Sequence, residues 1–187
     1  MAKKKRPYLA LLRGVNVGGH HKLPMAELRA ALSESPLGEV KTYIQSGNVL
    51  CLSSLTASGV ERQLAKTLEE SFSFKVPVLV RDADQWRTLL GANPFAEQAQ
   101  AAPNRVQVGI AKAPLAADAA EALQAMATRG EEVVAAGEAL WMHYPAGIAD
   151  TKLTPARLDR CAGSPVTTRN WRTALKLQEI LHGLSAP

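Results

Sequence analysis

The chain is poor in the residues from which metal centres, disulfide frameworks and base-stacking surfaces are built. It has only two cysteines, Cys51 and Cys161, and neither has a His, Cys or acidic partner at metal-ligand spacing. We therefore predict no metal site and no disulfide, and we expect both thiols to be buried structural groups. Only 5% of the residues are aromatic, which gives little support to a base-stacking surface.

Long hydrophobic runs are also lacking. No apolar stretch approaches the roughly 20 residues that a membrane-spanning helix needs. Four basic residues at positions 3–6 precede the apolar stretch 8–12, as at the start of a signal peptide. However, Arg13 interrupts this stretch early and no small-residue cleavage site follows. We therefore expect a cytoplasmic protein without membrane contact.

Positive charge is in slight excess, and much of it lies in the N-terminal arm. The formal net charge is +5, from 22 basic and 17 acidic residues, and four of the basic residues are those at positions 3–6. The rest of the chain is therefore nearly neutral. Because a nucleic-acid surface normally needs basic residues gathered on one face, nucleic-acid binding is only weakly supported. We interpret the arm as a solvated terminus.

The hydrophobic pattern predicts the element order βαββαβ twice. In the first half the strands are residues 8–12, 40–44, 49–52 and 75–80, with helices beginning near Pro24 and at a capping box of Ser58 and Glu61. In the second half the strands are residues 106–111, 132–135, 139–144 and 166–168, with helices at 115–126 and 154–161. An extra helix follows each half. The first is capped by Asp82 and Gln85, and the second packs through Leu175, Ile180 and Leu181.

We therefore predict an α+β fold of two tandem ferredoxin-like units with antiparallel sheets, each followed by an extra helix, with Trp86 and Trp141 in the core. The first unit covers residues 1–95 with the basic arm, a linker covers 96–104, and the second unit covers 105–187 with the C-terminal helix. The strand order of such a unit is 4-1-3-2. This order brings the loop after the first strand and the hairpin between the second and third strands to one end of the sheet.

Four motifs, in this order along the chain, resemble one known family. They are residues 12–19 (LRGVNVGG), 43–49 (YIQSGNV), 92–95 (ANPF) and 169–171 (RNW). The chain is similar to the bacterial family catalogued as domain of unknown function 1697, over about residues 8–184. This resemblance implies a tandem pair of ferredoxin-like domains and no particular activity. The chain departs from the family at His20, where Lys is frequent, and at Thr151, where Ser is frequent.

The glycine-rich loop 13–22 and the hairpin 45–48 form the first candidate site, for a phosphate or carboxylate. Free N–H groups at the start of the helix that follows the loop favour anions. The candidate ligand-binding residues are Arg13, Gly14, Asn16, Gly18, Gly19, Lys22, Ser46, Gly47 and Asn48. We interpret His20 and His21 as solvated loop residues rather than metal ligands. The alternative is that the glycines only form turns and that Arg13 pairs with a carboxylate or caps a carbonyl.

Motifs for cofactors and catalysis are missing from this loop. It matches neither GxGxxG nor the P-loop pattern, and no cofactor is predicted. Ser46 has no nucleophile-elbow frame, and no histidine is predictably paired with a carboxylate.

The second candidate site lies where the last two strands of the second unit end. Its residues are Tyr144, Lys152, Arg169, Asn170 and Trp171, with Asp150 and Thr151 beside them. Cationic donors and an indole could bind an acidic or aromatic group. The alternative is that Trp171 is half-buried at a helix start and that Asp150 pairs with Lys152 or Arg169.

Three functional hypotheses follow from these sites. The first is a protein that binds a small anionic or phosphorylated ligand at the loop and hairpin. The second is RNA or other nucleic-acid binding, although the predicted sheets carry few aromatic residues. The third is an enzyme of unknown reaction that uses Lys152 and Arg169. The sequence identifies no particular ligand and no oligomeric state.

Overall fold

A computed structural model describes residues 4–17 and 21–185. Three residues of the predicted site loop, Gly18, Gly19 and His20, lie outside the described residues. The first half contains β1 (Arg6–Leu12), α1 (Met25–Ser33), β2 (Glu39–Tyr43), β3 (Asn48–Ser53), α2 (Ala57–Phe72), β4 (Val78–Asp82) and α3 (Ala83–Gly91). The second half contains α4 (Ala96–Ala101), β5 (Val106–Ala111), α5 (Ala119–Gln124), β6 (Glu132–Ala136), β7 (Ala139–His143), α6 (Pro155–Ala162), β8 (Val166–Asn170) and α7 (Trp171–Ser185).

Each half forms one four-stranded antiparallel sheet. The strand orders are β2-β3-β1-β4 and β6-β7-β5-β8, which is the predicted order 4-1-3-2 in both halves. The prediction of an α+β fold with two tandem βαββαβ units is therefore confirmed, with α3 following β4 and α7 following β8. Among the described residues, no helix is both long enough and apolar enough to cross a membrane.

The chain divides into two compact units. The first comprises Met1–Trp86 and Leu177–Pro187, and the second comprises Arg87–Lys176. The C-terminal part of α7 therefore belongs with the first sheet. Residues 96–104, predicted as a linker, contain the helix α4.

In the first unit, helices α1 and α2 cover one face of the sheet. Ala10 and Leu12 of β1 pack there against Leu28 of α1 and Leu64 of α2, together with Cys51 of β3. The period of two in the strands and the i, i+3, i+4 spacing in the helices bring these side chains to one core, as the sequence pattern predicts.

The opposite face of the first sheet is buried as well. On this face Leu9 of β1 is paired with Leu50 of β3, and Leu11 of β1 with Leu79 of β4. Each of these four leucines is at most 2% exposed. Their positions therefore offer no open surface on which nucleic-acid bases could stack.

In the second unit, Leu140 and Met142 of β7 face the helices α5 and α6. Trp141 points to the other face, where it is fully buried and its ring centroid lies 5.8 Å from that of Trp171. Trp86 is also fully buried, so the prediction that Trp86 and Trp141 are core residues is confirmed. Both cysteines are free thiols; Cys51 is buried as predicted, whereas Cys161 is only partly buried.

Two element starts in the first unit differ from prediction. Helix α2 is capped by Thr56, whose hydroxyl accepts a 3.2 Å hydrogen bond from the Gly59 N–H, and the predicted cap Ser58 lies inside the helix. Strand β4 begins at Val78 rather than at residue 75. The preceding Pro77 has no N–H for the strand pairing, and its carbonyl accepts a bond from the Arg13 N–H instead.

Two helices differ from prediction in length or orientation. Helix α5 is shorter than the predicted 115–126, because the Ala116 N–H bonds to the Ala162 carbonyl at the end of α6. In α7 the buried stripe is formed by Ala174, Leu177, Leu181 and Leu184, whereas Leu175 is 45% exposed. The packing role predicted for Leu175 was wrong, because one position along a helix turns a side chain by about 100°.

The predicted cap of α3 is confirmed. The Gln85 N–H donates to Asp82 Oδ1 at 2.8 Å, and the Asp82 N–H donates to Gln85 Oε1 at 3.0 Å. This reciprocal pair satisfies two main-chain donors at the point where β4 becomes α3.

Candidate functional site

The loop after β1 and the hairpin between β2 and β3 lie side by side, as the strand order requires. The Leu12 N–H donates to the Gly47 carbonyl at 2.8 Å, and the Arg13 N–H donates to the Pro77 carbonyl at 3.0 Å. The loop therefore leaves the sheet between the hairpin and the start of β4. We call this region the loop–hairpin site, comprising residues 13–17, 21–23 and 43–48.

Asn16 fastens this loop. Its Nδ2 donates to the carbonyls of Leu23 and Gln45 at 2.9 and 2.7 Å, and its Oδ1 accepts from the Leu23 N–H at 2.8 Å. The backbone of Asn16 has a φ of 55°, a conformation that Asn tolerates better than most residues. Its side chain therefore closes the loop and joins it to the hairpin. Both its Nδ2 and its Oδ1 are hydrogen-bonded to main-chain groups.

Asn48 has a similar role inside the hairpin. Its side chain is fully buried, and its Nδ2 donates to the Tyr43 carbonyl at 2.9 Å and to Ser46 Oγ at 3.0 Å. These bonds close the four-residue turn between β2 and β3. Asn48 and Ser46 consequently act in shaping the hairpin.

Residue 47 has to be glycine because the hairpin lies very close to Leu12 and Val15 at this position. Its φ is 75°, and a Cβ at this position would lie 2.5 Å from Val15 Cγ2 and 2.8 Å from Leu12 Cβ. Any side chain would push the hairpin away from the loop. By contrast, a Cβ on Gly14, whose φ is 70°, would meet no atom within 4 Å.

Cationic groups remain at the surface of the loop–hairpin site. Lys22 and His21 are exposed and Arg13 is half-buried. The His21 Nδ1 lies 3.3 Å from the Gly14 carbonyl, and its ring centroid is 5.0 Å from that of Phe74. The loop leads directly into α1, whose N-cap residue, Pro24, makes no side-chain cap hydrogen bond.

The second candidate site is not one surface. Tyr144 points to the helix-covered face, is 2% exposed, and its hydroxyl donates to Met142 Sδ at 3.3 Å; burial raises the pKa of its phenol. Arg169 lies on the opposite face of the sheet. It is paired with Val108, and Val108 is paired on its other side with Trp141, so all three side chains point to the face that Trp141 occupies. Its guanidinium donates to Thr167 Oγ1 at 2.9 Å, and burial lowers its pKa to about 10.

The other members of this second set are spread over separate contacts. Asn170 Oδ1 accepts from the Thr173 N–H at 2.8 Å and caps α7. Trp171 is half-buried, as the alternative interpretation expected, and Lys152 is exposed. Asp150 lies 3.5 Å from the Arg129 guanidinium, so the expected pairing with Lys152 or Arg169 was wrong.

A buried carboxylate beside this set was not predicted from the sequence. Glu131 is 3% exposed, and its Oε2 accepts hydrogen bonds from the N–H groups of Thr128 and Arg129 at 3.0 and 2.7 Å. Its Oε1 accepts from the Thr151 hydroxyl at 2.7 Å. The Thr151 hydrogen bond, followed by the main-chain bonds, outweighs burial and lowers the pKa of Glu131 to about 2. A hydroxyl at residue 151 was the one signal that could have suggested it.

A histidine–carboxylate pair was also missed. His143 Nδ1 lies 2.9 Å from Glu132 Oε1, and these residues face each other across β6 and β7. The Phe95 ring lies 5.8 Å from the His143 ring. The sequence did not predict this pair, because the pairing depends on the register of β6 against β7 to the single residue.

The chain is similar to one protein family and to a solved bacterial structure. A family model described as a protein of unknown function, DUF1697, matches residues 6–141. No curated protein matches the chain. One similar solved structure is a conserved bacterial protein, SP0830, from Streptococcus pneumoniae. It is 21% identical, with a TM-score of 0.70 over 95% of this chain and 99% of that one.

Proposed function

Because the chain belongs to DUF1697, a family described only as proteins of unknown function, we propose its function from site geometry alone. It binds a small anionic or phosphorylated ligand at the loop–hairpin site. The observation that carries this proposal is the set of Asn16 side-chain hydrogen bonds to Leu23 and Gln45, which we call the Asn16 clasp. These bonds hold the loop bearing Arg13 and Lys22 against the hairpin. A ligand site gains affinity when its donors are held in place before binding.

Charge and helix direction support an anion rather than a cation. Lys22 is exposed and Arg13 half-buried on the loop that enters α1, and the N-cap residue of α1, Pro24, makes no side-chain cap hydrogen bond. Main-chain N–H groups at such a terminus carry a partial positive charge and bind phosphate or carboxylate. Glu27 in the first turn opposes this field, so binding depends on the cationic side chains.

The predicted site residues divide into two roles in this proposal. Arg13 and Lys22 donate to the anion. Asn16, Ser46, Gly47 and Asn48 position the loop and hairpin, because their polar groups are used in contacts within the protein or are buried. Gly14 is exposed and offers main chain to the ligand, whereas Gly18 and Gly19 remain predictions from the sequence.

The test is thermal unfolding of the full chain with inorganic phosphate and with pyrophosphate. A ligand at a hundredfold excess over its Kd stabilises the folded state by about 2.7 kcal/mol, which raises Tm by roughly 5–10 °C for a chain of this length. We expect Arg13→Ala and Lys22→Ala to lose most of this shift. Lys66→Ala, which removes an exposed cation on α2, is the matched control and should retain it.

Two outcomes would contradict the proposal. One is the lack of any shift with either anion in the wild-type chain. The other is an equal loss of shift in Lys66→Ala, which would indicate nonspecific screening of surface charge. Titration of single-stranded RNA at two salt concentrations separates the nucleic-acid hypothesis, since phosphate-driven RNA binding weakens steeply with salt.

A further inference from the structure

Among the described strands, none pairs with the outer edge of β2. The Leu12 N–H bonds to the Gly47 carbonyl, so the main chain of Gly47 points toward β1. Because main-chain groups alternate sides along an antiparallel strand, Asn48 and Leu50 of β3 point toward β2. Their partners on β2 are Tyr43 and Lys41.

The residues between these partners therefore point outward. Val40 and Thr42 direct their N–H and C=O groups away from the sheet, and β2 is paired only with β3 in the described part of the chain. Such groups form a template for another strand. The first unit thus presents a short free edge along Glu39–Tyr43.

A groove runs along this edge. It is lined by Val40, Lys41 and Thr42 of β2. Arg29 of α1, whose guanidinium donates to the Thr42 hydroxyl, also lines it. The remaining lining residues are Glu179, Ile180 and Gly183, from the part of α7 that belongs to the first unit. An added strand would therefore continue the sheet beside residues of α1 and α7.

The charges on β2 fit a second copy of the same strand. The side chains of Glu39 and Lys41 are about half exposed and lie on the same face of the sheet, with Lys41 Nζ 2.9 Å from Glu39 Oε1. If two copies pair antiparallel about a two-fold axis at Val40, Glu39 of each copy lies directly opposite Lys41 of the other. Opposite charges in directly facing positions are favourable, and like charges there are unfavourable.

Neighbouring registers lack this match. An axis at Lys41 places the two Lys41 side chains opposite each other, and an axis at Glu39 does the same for the two Glu39 side chains. An axis at Thr42 leaves Glu39 without a charged partner and requires Ile44, whose φ of 48° is not extended. The charges that would block pairing in other registers therefore favour the one centred on Val40.

We propose that this chain forms a two-fold homodimer through antiparallel pairing of β2 with β2 of a second copy, with Val40 on the axis. Two main-chain hydrogen bonds join Val40 to its counterpart, and two Glu39–Lys41 ion pairs flank them. Because the paired segment is short, the dimer is weak and forms at high protein concentration. The surface is distinct from the loop–hairpin residues that carry charge, so this proposal does not depend on anion binding.

The experiment is sedimentation velocity of the full chain from micromolar to near-millimolar concentration. The wild type should shift from monomer to dimer, and the shift should weaken at high salt. Glu39→Lys and Lys41→Glu should each raise the dimer dissociation constant at least about tenfold, because like charges then face each other. Lys66→Glu, an exposed change on α2 with the same effect on net charge as Lys41→Glu, should leave it unchanged.

A charge exchange makes the register testable. The two single variants mixed together should form heterodimers, since every facing pair is then opposite in charge. The double variant Glu39→Lys with Lys41→Glu should dimerise like the wild type. A wild type that stays monomeric throughout overturns the proposal, as do single variants that dimerise normally or a double variant that does not recover. Circular dichroism of each variant confirms that it is folded.

Discussion

The Thr151 hydroxyl donates a 2.7 Å hydrogen bond to the buried carboxylate of Glu131 and thereby joins two loops of the second unit. Thr151 Oγ1 also accepts from the Leu153 N–H at 3.2 Å. On the other side of the carboxylate, Thr128 and Arg129 donate their N–H groups. These loops therefore stabilise the ionised form of Glu131.

Glu131→Gln should lower the free energy of unfolding by about 2 kcal/mol near neutral pH, because hydrogen bonds to a charged group are lost and an amide then faces main-chain N–H donors. The pKa of Glu131 is depressed to about 2 in the folded state. Its stabilising effect is therefore fully present above the unfolded pKa near 4.5 and fades as pH falls toward 2. Urea unfolding of both proteins between pH 2 and pH 7 checks this.

The matched control for that series is Glu138→Gln, which changes an exposed carboxylate in the same unit. It should stay within about 0.5 kcal/mol of the wild type at every pH. A gap between wild type and Glu131→Gln that persists unchanged at pH 2 would show that charge is not its origin.

Gly47→Ala should be strongly destabilising, and Gly14→Ala only mildly so. Both residues have a positive φ, but a Cβ at Gly47 would lie within 2.8 Å of two side-chain atoms, and one at Gly14 would meet none within 4 Å. We expect a loss of about 1 kcal/mol for Gly14→Ala from conformation alone and about 3 kcal/mol or more for Gly47→Ala. Equal losses in chemical denaturation would mean that close packing at the hairpin contributes nothing.

The fold follows from the sequence because its signals are local and redundant. Continuous apolar runs in β1 and β3, helical stripes such as Leu64 and Leu68, and the Asp82–Gln85 cap each specify one element, and together they leave few topologies. The strand order then predicts that the loop and hairpin are neighbours. Errors fell where a tertiary contact replaces a local preference, as at Ala116, whose N–H bonds to α6.

The details of the candidate sites follow from the sequence much less well. Asn16 and Asn48 were predicted to contact a ligand, yet both bond to main-chain carbonyls whose positions depend on the folded loop. Tyr144 and Arg169 were placed together because their strands end at one edge, although they point to opposite faces. End position constrains only the chain path, whereas side-chain direction depends on register to the single residue.

The two cysteines should differ sharply toward a thiol reagent. Burial raises the pKa of Cys51 to about 12, so roughly one molecule in ten thousand carries the thiolate at pH 8. Cys161 is partly exposed. We expect one fast-reacting thiol per native chain at pH 8, lost in Cys161→Ser, and two thiols in denaturant. A fast phase that survives Cys161→Ser would contradict the burial of Cys51.

Asn16 should prove to be a positioning residue, and three substitutions separate what it does. Asn16→Gly keeps the freedom to adopt φ of 55° and removes the three side-chain hydrogen bonds, so it should cost about 2 kcal/mol. Asn16→Ala adds the backbone penalty of about 1 kcal/mol. Asn16→Asp keeps an acceptor for the Leu23 N–H but sets a carboxylate against the carbonyls of Leu23 and Gln45, which accept from Nδ2 in the wild type.

All three substitutions of Asn16 should weaken phosphate binding measured by calorimetry. Faster hydrogen exchange of the Leu23 amide should accompany the loss in Asn16→Gly and Asn16→Ala. Normal Leu23 protection in Asn16→Gly would refute the clasp, because that amide has Asn16 Oδ1 as its acceptor.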